Sequence, residues 1–183
     1  MIKGEEILND FKKEKDMPKE VIEKYRNLVP KEMIEIWEKY GLGSFLNGYL
    51  RVINPDDYKE LVEETYFRGN VAIPIFITAF ADVITWEEDE FIGMIEYKTL
   101  DVNAIWEGMD NFFELLSNKR FLEKNFELEM YNKALKLHGE VGYEDCYCFV
   151  PVIPVGGKKI ENLQKGKAFT HIEVIVYLMG RVE

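Results

Sequence analysis

Cysteine and histidine are scarce, with two of each in 183 residues. Cys146 and Cys148 lie one residue apart, a spacing that puts both side chains on one face of a strand and builds no disulfide framework. They are expected to be small, reduced, buried hydrophobes. Zinc would need His138, His171 and both thiols to converge from separate segments, so no metal or other cofactor is expected. No apolar run reaches the ~20 residues of a membrane span. Residues 1–17 carry charges of both signs and lack the apolar centre of a signal peptide. The expectation is a cytoplasmic protein with no membrane partner.

Catalytic patterns are missing too. Neither histidine lies in a nucleophile or metal-binding motif, and GxSxG, HExxH, P-loop and dinucleotide fingerprints are absent. VPVIPVGGKKIENL imitates a phosphate loop but fails its spacing, and reads as a strand followed by a turn. Consecutive carboxylates at Glu87, Glu88, Asp89 and Glu90 could in principle bind a divalent ion or act as acid and base, but from a turn they are expected to point into water.

Charge is plentiful and uneven. Against 34 acidic residues stand 23 basic ones, a net charge of -11, and residues 82–114 hold ten acids with Lys98 as their one base. Such a surface repels nucleic acid and suits a basic protein partner. The apolar fraction of 47% and aromatic fraction of 14% are those of a folded chain, and the length suits one compact unit over residues 1–183.

Periodicity predicts an α+β fold, with N-terminal helices leading into a mainly antiparallel central sheet flanked by helices. Residues 5–15 read as a first helix through Ile7, Leu8 and Phe11. A second follows Pro18, and a third runs from Pro30 with Met33, Ile34, Trp37 and Tyr40 as its apolar stripe. Gly41 caps that helix, Gly43 loosens a loop, Asn47-Gly48 turns the chain and residues 49–52 form a short strand. Asn54 and Pro55 start the next helix. IPIFITAFADVITW and FIGMIEYKTL read as antiparallel strands joined by the EEDE turn. A helix is expected from Asp101 or Asn103, with Ile105, Met109, Phe112 and Leu116 on one face and Trp106 and Phe113 beside them. Another spans residues 119–137 with a break near Asn125, and Gly139 ends it. DCYCFVPV alternates as a strand, with Cys146, Cys148 and Val150 on one face and Tyr147 and Phe149 on the other. THIEVIVYLMG fits helix and strand alike. Trp86 and the aromatics Trp37, Tyr40, Phe45 and Tyr49 are candidate interface anchors, with core packing favoured for Trp37 and Tyr40.

PKEMIEIWEKYGLGSFLNGYLRVINPDDYKEL resembles the GAD-like domain: a proline-led helix ending in aromatic-x-x-Tyr-Gly (Trp37, Tyr40, Gly41), a turn at Gly48, a short strand and an Asn-Pro-x-x-Tyr helix start at Pro55. LHGEVGYEDCYCFVPVIPVGGKKIENLQKGKAFTHIEVI resembles the domain that follows it in immunity proteins against type VI secretion DNase effectors, through Tyr147, Phe149, Pro151, Gly156, Gly157, Glu161, Asn162 and Leu163. The boundary falls near residue 100, giving segments 5–100 and 101–181. The glycine-loop helix is also similar to the wider SUKH group of toxin-neutralising proteins. Two departures stand out: Cys148 replaces the glycine usual between Tyr147 and Phe149, and the last segment is unusually β-branched for the helix the resemblance suggests.

The resemblance implies a cytoplasmic, non-catalytic protein that binds and blocks a cognate toxin, often a nuclease. A basic nuclease would meet the acidic stretch, so Asp82, Trp86, Glu87, Glu88, Asp89 and Glu90 are the candidate toxin-binding residues. The alternative is a regulatory or scaffold module that uses the same fold to bind a cellular protein.

Overall fold

Seven strands pair antiparallel in the order in which the chain lays them down. The computed structural model describes residues 4–183, the side chains at 104 and 105 excepted. A 3-10 turn at Glu5–Leu8 leads into β1 (Lys12–Lys15), helices α1 (Lys19–Tyr25) and α2 (Lys31–Lys39), strands β2 (Leu42–Phe45) and β3 (Leu50–Val52), and helix α3 (Pro55–Thr65). Strands β4 (Ala72–Thr78), β5 (Val83–Glu87), β6 (Phe91–Glu96) and β7 (Asp101–Glu107) complete the sheet. Helices α4 (Met109–Leu116), α5 (Lys119–Phe126) and α6 (Leu128–His138) precede a two-stranded sheet of β8 (Asp145–Phe149) and β9 (Leu163–Lys167), with the short α7 (Ile153–Gly156) between them. Helix α8 (Ala168–Met179) follows. The fold is α+β, as the periodicity predicts.

Both faces of the sheet are covered. The larger core collects the apolar sides of α1, α2, α4, α5 and α6 with Phe45, Phe76, Ile84 and Met94. The smaller core packs α3 and α8 against Ile77, Val83, Ile95 and Tyr97. Alternation along β5 and β6 assigns side chains to these faces, and a bulge between Pro74 and Phe76 turns both Ile75 and Phe76 toward the larger one.

The glycine loop is fixed from both sides. Gly41, at φ 76°, donates to the Trp37 carbonyl at 3.1 Å and ends α2. Leu46, Asn47 and Gly48 all take positive φ. The Asp10 carboxylate accepts from the Leu46 and Asn47 amides, and the Tyr131 hydroxyl donates to the Asn47 carbonyl at 2.5 Å. Asn54 caps α3 by accepting from the Asp56 amide at 3.1 Å, with Pro55 in the first turn. Trp37, Phe45 and Tyr49 are core residues; Tyr40 is half-buried and donates its hydroxyl to Glu5 at 2.8 Å.

Three sequence expectations give way to tertiary pairing. Residues 5–15 are not one helix: after the 3-10 turn, KKEK forms an exposed edge strand on β2. Gly43 permits it, because a Cβ there would lie 2.3 Å from the Lys12 carbonyl oxygen and 2.6 Å from the Phe11 ring. Gly43 is therefore a strand residue under close approach, not a loop loosener. Residues 101–107 form β7, not the start of a helix, since the open edge of β6 pairs Ile92 with Trp106 and Ile95 with Val102. Gly108, at φ 78°, separates that strand from α4, which keeps the predicted Met109, Phe112 and Leu116 face. The side chain of Ile105 lies outside those described.

The break expected near Asn125 comes at Glu127, φ 51°, and Gly139 ends α6. THIEVIVYLMG is helical in α8, where Ile172 and Ile175 share the buried face. Tyr147 and Phe149 enter the larger core and Cys146 and Cys148 the smaller, while Val150 lies beyond the strand end and is exposed. Asn162 donates its amide to the carbonyls of Gly156 and Gly157 at 3.0 and 3.2 Å, and Gly156 packs on Pro151. Leu163, after Glu161, pairs with Phe149.

Replacing Gly43 with alanine drives a methyl into backbone with no flexible neighbour to yield. The expected loss is about 1–3 kcal/mol, measured as a lower urea midpoint at unchanged slope; an unaltered midpoint would refute the close approach of β1 and β2.

Candidate functional site

Folding divides the acidic stretch into an inside and an outside. Asp82 is fully buried and ion-paired with Lys98, which also lies 3.7 Å from Glu96. Glu87 is 1% exposed; its carboxylate accepts from Arg68 Nε at 2.7 Å and from the Thr85 hydroxyl at 2.7 Å. That carboxylate lies over Gly93, where a Cβ would come within 2.6 Å of Glu87 Oε1. Trp86 packs into the larger core and is 6% exposed. Asp82 and Glu87 thus leave the candidate surface: burial and their cationic partners already occupy them. Of the ten acids, Glu88, Asp89, Glu90, Asp101, Glu107, Asp110 and Glu114 face solvent.

Glu88, Asp89 and Glu90 make the β5–β6 turn, closed by the Glu90 amide on the Glu87 carbonyl at 3.2 Å. Glu88 and Asp89 sit at φ 53° and 58°. Two consecutive left-handed positions favour Asn, Asp and Gly; Asp89 fits that preference, whereas Glu88 does not and costs roughly 1–2 kcal/mol there, a local strain of the kind found at functional positions. Glu88 is tethered to Arg68 Nη2 at 3.0 Å. Among the described residues no cation lies within ion-pair distance of Asp89 or Glu90.

Beside the turn opens a groove of about 450 Å³. Its floor is Leu28, Val29, the edge of Trp86 and Met109, and Glu32, Asp89 and Asp110 are its acids; among the described residues no lysine or arginine lines it. Leu28, 47% exposed, belongs to the same apolar spacing as Tyr25, but α1 ends before it and leaves it on the surface. Sequence reading missed Leu28 and Glu32 as site residues because they lie some sixty positions from the turn; the leucine left over at the end of its helix was the available signal.

A second polar cluster is internal. Asp82 accepts from the Thr78 hydroxyl at 3.4 Å, its Oδ1 is buried without a partner, and burial pushes its carboxyl up to about 6 despite the opposing Lys98 charge. Glu96 is held by Asn103 at 3.0 Å and Thr99 at 3.3 Å. Among the described residues, no three histidine, cysteine, aspartate or glutamate side chains are grouped to hold a metal, and no helix is long and apolar enough to cross a membrane.

A match to the GAD-like domain family spans residues 4–98, more than half of the chain. The chain belongs to the GAD-like family. In this GAD-like protein, residues 106–179 match a second family, the C-terminal domain of the T6SS immunity protein Tdi1. That order is the one the sequence motifs suggest, and it supports an immunity role. Among solved structures, the crystal structure of Atu4351 from Agrobacterium tumefaciens superposes with a TM-score of 0.71. The match covers 96% of this chain and 88% of that one at 19% identity, a likeness of fold. No curated protein matches the sequence.

The matched segments interlock in the GAD-like protein: Tyr143 donates to the Val52 carbonyl at 2.7 Å, and Arg51 to the Asp145 carbonyl at 2.5 Å. Asp82 titrates with a definite sign. Because its folded pKa is raised, its contribution to stability is full below about pH 4, the unfolded value, and is lost as pH rises through about 6. Asp82→Asn removes that slope. The stability of the parent relative to the variant should fall by up to about 3 kcal/mol across this window, read by urea unfolding at three pH values. A difference that stays constant with pH would contradict the raised carboxyl.

Proposed function

We propose that this protein is a non-catalytic immunity protein that neutralises a cognate basic toxin, a nuclease, by docking it on the acidic hairpin tip and the groove beside it. The observation that carries the reading is the exposed turn of Glu88, Asp89 and Glu90, with Asp89 lining an apolar-floored groove and, among the described residues, no cation paired with Asp89 or Glu90. The immunity-family match over residues 106–179 supports it independently.

The physical logic is competition. A nuclease holds phosphates with lysine and arginine, and carboxylates presented on a protein surface attract that same basic patch. Long-range attraction raises the association rate, while the apolar floor at Leu28 and Trp86 supplies the desolvated contact that lengthens the complex lifetime. Glu88, Asp89 and Glu90 are the residues for attraction. Trp86 offers only its edge, and Asp82 and Glu87 act indirectly by holding the sheet and the hairpin in shape. The site lies in the cytoplasm in this reading and needs no cofactor or nucleic acid.

Co-expression with the toxin encoded beside it should restore growth and yield a stable complex; failure of both refutes the immunity reading. The triple change Glu88→Gln, Asp89→Asn, Glu90→Gln should lower the association rate about ten-fold at low salt and flatten its salt dependence. With growth rescue intact, unchanged rates would move the interface away from the tip.

A further inference from the structure

The two thiols of the chain meet in the smaller core. Cys146 and Cys148 share one face of β8 with their Sγ atoms 3.3 Å apart. Cys146 is sealed, whereas Cys148 lines an open hollow of about 360 Å³ together with His171 and Thr170 of α8 and Lys165 and Lys167 of β9. Gly166 leaves the sulfur room, since a Cβ there would lie 2.8 Å from Cys148 Sγ.

A cation stands at one end of the pair and an imidazole at the other. Arg51 on β3 is 1% exposed; its Nη1 donates to the Asp145 carbonyl, its Nη2 is buried without a partner, and among the described residues no carboxylate lies within ion-pair distance of it. A buried guanidinium without an anion is costly, and its bond to the Asp145 carbonyl sets it beside Cys146. At the other end, His171 adds to the Cys146 hydrogen bond in holding the Cys148 thiol below its usual range, while that same bond and burial hold Cys146 above. Two thiols this close titrate as a pair. The environment therefore favours the form with one proton shared between two sulfurs, with Cys148 the one that opens on the hollow; a thiol made more acidic and given access is the more reactive one.

We propose that Cys146 and Cys148 form a redox-active dithiol oxidised by hydroperoxides, with Cys148 the attacking thiolate and Cys146 the resolving thiol. The Cys148 sulfur attacks one peroxide oxygen and the O–O bond breaks. The departing hydroxide or alkoxide takes a proton from water, and Cys148 becomes a sulfenic acid. Cys146 then loses its proton and attacks that sulfur, forming the S–S bond and expelling hydroxide, which is protonated to water. The singly protonated dithiol gives up two electrons and the one proton of Cys146, solvent supplies a second proton, and the peroxide is reduced to water, or to an alcohol and water. Alternate residues of a strand stand ~6.5 Å apart, inside the ~4.4–6.8 Å Cα range of disulfides, but their Cβ atoms must approach to ~3.5–4.5 Å. Closing the bond therefore requires β8 to buckle at Tyr147 out of its pairing with β9.

The test uses the reduced full chain, hydrogen peroxide as the probe, and alkylation followed by intact mass. The expected result is a loss of about 2 Da with both cysteines protected from alkylation, reversed by dithiothreitol. Cys146→Ser, or Cys146→Ala in this dry position, should leave a sulfenic acid at Cys148 that dimedone captures, and Cys148→Ser should slow oxidation about ten-fold. His171→Gln should shift the alkylation profile of Cys148 to higher pH, with Arg51, Asp82 and Asp145 as the remaining charges acting on the pair. Thiols that stay alkylatable after peroxide, a sulfinic acid without the mass loss, or equal oxidation of Cys148→Ser would each overturn the proposal.

Discussion

Three hydrogen bonds to and from strand β3 and its turn hold the two halves of the chain together. Tyr131 reaches the Asn47 carbonyl, Tyr143 reaches the Val52 carbonyl, and Arg51 reaches back to the Asp145 carbonyl. Each joins residues more than eighty positions apart, so each closes a long loop whose entropy must be recovered by what it orders. What it orders is aromatic: Tyr49 packs edge-on against Tyr131, Phe126 and Phe80, and Phe80 stacks on Phe149. The glycine loop is thus a socket for the C-terminal segment. Its tight geometry, Gly48 close under the Tyr131 hydroxyl, serves assembly and not chemistry.

The acidic excess has two fates with different physics. Asp82, Glu87 and Glu96 are drawn inside, where each meets a cation or a set of donors that offsets part of its desolvation. Such pairs contribute little net stability, and they penalise any arrangement that separates the partners. The exposed acids keep their field in water and act over about a Debye length. Counting charges along a sequence merges these groups; only the placement of Lys98 and Arg68 separates them.

Where the local signals were strong, the sequence was readable. Pro30 and Gly41 bracket α2, Asn54 and Pro55 open α3, and the Asn47-Gly48 turn lies where its dipeptide places it. Elements defined by a neighbour were not. KKEK carries no strand signal of its own and becomes a strand because β2 offers an edge; residues 101–107 join the sheet because β6 does. The reverse holds for α8, whose β-branched residues find no strand to pair with and pack as a helix face. The turn of the candidate site was legible in EEDE. Its groove was not, since Leu28 and Glu32 arrive from another part of the chain.

Glu87 beneath Gly93 has a wider meaning for the hairpin. Its carboxylate is gripped by Arg68 and Thr85 in space that a side chain at position 93 would fill, so the last residue of β5 cannot fray without exposing a buried charge. The turn beyond it is thereby mounted on a rigid stalk. A partner meeting that tip finds a surface already in shape, and little conformational freedom remains to be surrendered on contact.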